Sequence, residues 1–96
     1  MEIIWRRAAL NDLEALHEFI AEDNPEAAQR VAAAIGAAVH PLAEHPNLGR
    51  AGRVGGTREL VLSSLPYIIV YRIVAEQVRI LSVMHTSRQW LRRFGS

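Results

Sequence analysis

The chain has 96 residues, half of them apolar, and a formal net charge of +1, the arithmetic of one small globular domain covering 1–96. With no cysteine, a disulfide framework, a thiolate metal site and a cysteine nucleophile are all excluded. All eleven basic residues are arginine, so a phosphate-loop or Schiff-base lysine is excluded too, and the longest apolar run, Val31 to Val39, is too short to cross a bilayer. The expectation is a soluble, cytoplasmic protein with no cofactor, no metal and no membrane association.

The small net charge conceals a division. Residues 1–48 carry three arginines against eight acids, whereas residues 49–96 carry eight arginines against two. Acids on exposed helix faces account for the first half. The scarcity of acids in the second half points to a basic working surface there.

Glu2-Ile3-Ile4-Trp5-Arg6 reads as an opening strand. Ala9, Leu13, Leu16 and Ile20 follow at spacings of four, three and four, one face of a helix with Asp12, Glu14, Glu18 and Glu22 on its other sides. The acids near its start suit the positive end of the helix dipole. Asn24-Pro25-Glu26 is a restart signal, with an Asn cap, proline in the first turn and an acid behind it. The second helix buries Ala28, Val31, Ile35, Ala38 or Val39, and Leu42, and its many alanines let the first helix approach as an antiparallel hairpin. Pro41 should end or kink it near His40.

From His45 to Gly56 the chain is rich in glycine and arginine and reads as a mobile loop. Three strand-like runs follow, Thr57 to Leu62, Tyr67 to Val74 and Val78 to Met84, with spacers short enough to make them antiparallel neighbours. A polar segment, Thr86 to Phe94, closes the chain. The order β-α-α-β-β-β predicts an α+β domain, a helix hairpin packed on one face of a small, mainly antiparallel four-stranded sheet. In the middle run Tyr67, Ile69, Tyr71 and Ile73 point one way and Ile68, Val70, Arg72 and Val74 the other. Both faces are largely apolar, so the tail or a partner should cover the one the helices leave.

The glycines at 49, 52, 55 and 56 do not fit a G-x-G-x-x-G spacing, and no lysine assists, so a nucleotide cradle is disfavoured. His17, which should lie on the exposed part of the first helix, and His40, His45 and His85 have no metal-ligand spacing. His85 ends the last strand and precedes Arg88 and Trp90; these could serve a proton transfer and a phosphate clamp, or simply terminate the strand.

Read in order, Trp5, the stretch Ala8 to Leu13, Asn24-Pro25-x-Ala27-Ala28, Pro46-x-x-Gly49-Arg50 and Gly56-Thr57-Arg58-Glu59-Leu60 form a recognisable series. It continues through Pro66-Tyr67-Ile68-Ile69-Val70-Tyr71-Arg72 and Ile80-Leu81-x-Val83-x-His85-x-x-Arg88-x-Trp90. This string resembles the RelE/ParE superfamily of bacterial type II toxins, also labelled plasmid-stabilisation proteins, over nearly the whole chain. The resemblance implies a cognate antitoxin that wraps the toxin and silences it in a hetero-oligomer, with operator DNA met only through the antitoxin.

RelE-like members cleave messenger RNA on the ribosome with an arginine just before the apolar pair and tyrosine of the middle strand; Ile68 stands there. At the C-terminal places of that set, Thr86 and Arg92 are the rough positional matches. Losing the arginine argues against an endonuclease, which needs cations at its transition-state phosphate. ParE-like members poison DNA gyrase, and the Leu-x-Val-x-His-x-x-Arg strand end looks more like theirs. The expectation is therefore a ParE-like, growth-inhibiting gyrase inhibitor with no catalytic residues. The alternatives are a RelE-like ribonuclease using Arg58, His85 and Arg88, and a non-toxic relic that only holds its antitoxin. Expected target contacts are His85, Arg88, Trp90, Arg92 and Arg93; expected antitoxin contacts are Arg58, Tyr67, Ile69, Tyr71 and Arg72.

Overall fold

The computed structural model describes residues 1–86. Strand β1 (Glu2–Trp5) leads into helix α1 (Arg7–Ala21) and helix α2 (Pro25–Val39). A single 3-10 turn, His40–Ala43, then delivers the chain to β2 (Arg50–Ala51), β3 (Arg58–Val61), β4 (Tyr67–Val74) and β5 (Gln77–His85). The strands lie in the order β1-β5-β4-β3-β2; β1 runs parallel to β5, and every other pairing is antiparallel. The expected α+β class holds, but the sheet has five strands instead of four. The added strand is two residues inside the glycine-rich segment, too short to leave any alternation in the sequence.

Helix α2 starts as its capping signal requires. Asn24 Oδ1 accepts the Ala27 amide at 3.0 Å, Pro25 opens the helix and Glu26 sits in its first turn. At the other end, Pro41 converts the helix to the 3-10 turn, and Val39 rather than Ala38 is the buried residue of the last turn. Helix α1 departs from expectation. It begins at Arg7 with no acid in its first turn, and His17 is half-buried instead of exposed. Asp12 turns toward the sheet, where its Oδ2 accepts Ser82 Oγ at 2.9 Å and the Val83 amide at 3.0 Å. The reason lies in β1, which ends opposite Ile80. Beyond that point the edge of β5 has no strand beside it among the described residues, and a backbone amide there needs another acceptor.

The core fills the space between the helices and the near face of the sheet. Ala9, Leu16, Ile35, Val39 and Leu42 pack against Ile69, Tyr71, Val78, Ile80 and Val83. In β5 this requires a break in the alternation. Val70 pairs with Ser82 and Tyr71 with Ile80, so Leu81 is an extra bulge residue, and Val78, Ile80 and Val83 all reach the same core. The far face carries a second cluster of Ile68, Val70 and Met84. These three are only 5, 6 and 1 % exposed, so that patch is already closed to solvent.

Candidate functional site

The glycine-rich segment is fastened, not mobile. The Tyr71 hydroxyl donates to the Pro46 carbonyl at 2.6 Å and accepts the Gly49 amide at 2.8 Å. A Cβ at Gly49 would stand 2.7 Å from Tyr71 Cε1, so only glycine admits this approach. Arg58 Nη1 donates to the Gly49 carbonyl at 2.6 Å. Glu59, 2 % exposed, accepts Arg50 Nη2 at 3.2 Å and the Arg53 amide at 3.1 Å. A buried carboxylate is tolerated only with such partners. The far end closes through the Gly52 amide on the Thr57 carbonyl at 2.8 Å and Thr57 Oγ1 on the Val54 carbonyl at 2.6 Å. Three separated sequence motifs are thus one hydrogen-bonded hairpin, β2–β3. Its signal was present in Pro46, Gly49, Glu59 and Tyr71, but only the fold shows that they meet.

The expected antitoxin residues divide. Ile69 and Tyr71 are fully buried under the helices and offer a partner no surface in this conformation, because β4 turns its odd-numbered residues toward the core. Arg58 is half-buried and occupied by backbone carbonyls. Tyr67 is half-buried and Arg72 exposed. Of the expected target contacts, His85 lies opposite Tyr67 on β5, their rings edge to face at 5.6 Å. Burial raises the Tyr67 hydroxyl above its ordinary pKa of 10.0. Arg88, Trp90, Arg92 and Arg93 fall outside the described residues.

Arg58 and His85 are not brought together. Arg58 pairs with Tyr71 and His85 with Tyr67, on opposite flanks of β4 and four residues apart along it, about 13 Å at the usual strand rise. Ile68, where the resemblance would put the nuclease arginine, is buried among Val70 and Met84. Among the described residues no group of three or more His, Cys, Asp or Glu could hold a metal ion, and no helix is long and apolar enough to cross a membrane.

Two further features emerge from the fold. The first is a groove of about 250 Å³ between α2 (Ala34, Ala38) and the end of β3 with its following turn (Leu60 to Leu65). Strand β2 pairs only with Arg58 and Glu59, so among the described residues the β3 edge beside this groove has no strand neighbour at Leu60 and Val61. The second is a cross-strand pair of arginines, Arg72 and Arg79, on the far face. The alanine-rich second helix already pointed to a groove that could take a helix or an added strand, whereas the facing of the two arginines depends on the strand register and was not legible from spacing.

A family profile described as "ParE toxin of type II toxin-antitoxin system, parDE" matches residues 3–90. The chain belongs to this ParE toxin family. Y4kP of Sinorhizobium fredii is 52% identical over 88 residues, covering 92% of this chain and 91% of that protein. Toxin RelE2 of Caulobacter vibrioides is 37% identical over 87 residues, covering 91% and 97%. Among solved structures, a chain of the chromosomal ParDE toxin–antitoxin system from P. aeruginosa superposes with a TM-score of 0.82 at 28% identity, covering 91% of this chain and 97% of that one.

Proposed function

We propose that this toxin acts in the cytoplasm by inhibiting DNA gyrase and is silenced by a cognate antitoxin in a hetero-oligomer. The observation that carries the gyrase reading is Ile68. An apolar, buried side chain stands where the resemblance would put the nuclease arginine, and Arg58 and His85 lie on opposite flanks of β4, four residues apart along it. A ribonuclease would need cations and a proton-transfer group converging on one phosphodiester. The test is direct. The purified toxin should block supercoiling by gyrase and leave translated messages uncut on primer extension. Specific cuts at ribosome-bound codons, with supercoiling untouched, would overturn it in favour of the RelE-like alternative, a reading favoured by the likeness to Toxin RelE2 of C. vibrioides.

For the antitoxin, the groove beside α2 supports docking of an apolar segment, and the unpaired edge of β3 can add a strand. Tyr67 borders this site, since its amide and carbonyl hold the turn from Leu62 to Leu65. Arg58 contributes indirectly, by fixing the hairpin. Operator DNA would be met only through the antitoxin.

A further inference from the structure

The charge division in the sequence becomes a division between layers. The acids Glu14, Glu18, Glu22 and Glu26 are exposed on the two helices, while the far face of the sheet carries arginines. Arg72 on β4 and Arg79 on β5 are direct partners in the ladder, which places both side chains on one face with Cα atoms about 5 Å apart. Like charges in that position repel and destabilise the sheet. Among the described residues no carboxylate forms an ion pair with either arginine; the Arg50–Glu59 pair lies at the β2 edge. Arg79 Nε donates to the neutral Gln77 Oε1, at 3.1 Å, and Arg72 is exposed. The apolar Ile4 pairs with Arg79 on the opposite flank, and the tip of the fastened hairpin reaches Arg72 at Gly56.

We propose that the Arg72–Arg79 pair receives acidic side chains of the protein that this toxin inhibits; this rests on reading the chain as a growth-inhibiting toxin. Two neighbouring guanidinium groups on a rigid sheet can take a carboxylate in paired hydrogen bonds, and arginine is enriched among residues that dominate protein interfaces. A protein fits better than a nucleic acid backbone. Glu2, bonded to Gln77 at 3.3 Å, and Glu76 in the β4–β5 turn rim one end of the face, so a run of phosphates crossing it would meet both acids, whereas a single carboxylate can reach the arginines from the other side. The antitoxin groove lies on the helix side of β3, so a segment seated there leaves this pair free.

The test uses the full chain with Arg72→Gln, Arg79→Gln and the double replacement. Each should melt no lower than the wild type, because one source of repulsion is gone, and each should still co-purify with the antitoxin, since Arg72, expected from the sequence among the antitoxin contacts, lies on the face away from the groove. The double variant should need at least tenfold more inducer to arrest growth, since losing even one hot-spot residue weakens an interface by about thirtyfold. Arrest at the wild-type dose by a folded double variant would overturn the proposal. So would loss of antitoxin capture in step with toxicity, which would place the pair in the antitoxin interface. A wild-type protein that retards duplex DNA or RNA in a gel, with the double variant failing to, would overturn it in favour of phosphate recognition. A wild-type protein that never arrests growth would instead sink the toxin reading itself, while the melting temperatures would still report the repulsion.

Discussion

On the helix side of the sheet, Ile35, Leu42, Ile69 and Ile80 are fully buried and hold the fold through apolar contact. At the β2 edge, the hairpin from Pro46 to Glu59 has little to bury, and Leu48 and Val54 lie half in solvent. What holds it is a set of directed bonds centred on Tyr71 and Glu59. The two regions share one residue, since the ring of Tyr71 belongs to the core and its hydroxyl to the hairpin. Packing energy spreads over many neighbours, whereas a hydrogen-bonded lock concentrates it in a few atoms. Damage to the first should therefore be global and damage to the second local.

The largest effect tests the first half of that contrast. Ile35→Ala should destabilise the protein by about 2–5 kcal/mol, as large-to-small changes at fully buried sites do. Urea unfolding should show a lower midpoint with an unchanged slope. A loss below 1 kcal/mol would mean that the helix layer contributes far less than its burial implies.

A smaller and more local effect is expected from Tyr71→Phe. The ring and its packing remain, but the Gly49 amide and Pro46 carbonyl lose their partner, at about 1–3 kcal/mol for groups left unsatisfied. Hydrogen exchange should quicken at Gly49, Arg50 and Ala51 while the α2 amides keep their protection. Uniform acceleration across both regions would erase the distinction between them.

The smallest effect is confined to high pH. Burial makes Tyr67 hold its proton more tightly in the folded chain than its ordinary pKa of 10.0 allows when unfolded. Below that value it adds no pH dependence. As pH rises through 10 the unfolded chain ionises first, so stability falls until the folded pKa is passed. Tyr67→Phe should flatten this alkaline slope in a melting series. An unchanged slope would assign the alkaline loss to other groups.

Some of this protein could be read from the order of its residues, because the information is local. The apolar spacing of both helices, the Asn24 cap and the Pro41 stop each act within one or two turns of chain. The alternation in β4 likewise separates Ile69 and Tyr71 from Ile68 and Val70 wherever the strand is placed. The family motifs were equally legible as an ordered string. The rest depends on partners far apart in the chain. Asp12 looked like a surface acid until the end of β1 exposed the Val83 amide to it. Gly49 read as part of a mobile loop, and Arg58 as a contact for a partner, until Tyr71, 22 residues away from Gly49, closed the hairpin. The β5 bulge at Leu81 and the facing of Arg72 with Arg79 exist only as a register. A register is a property of two strands together, fixed when their shared faces pack, and neither strand carries it alone.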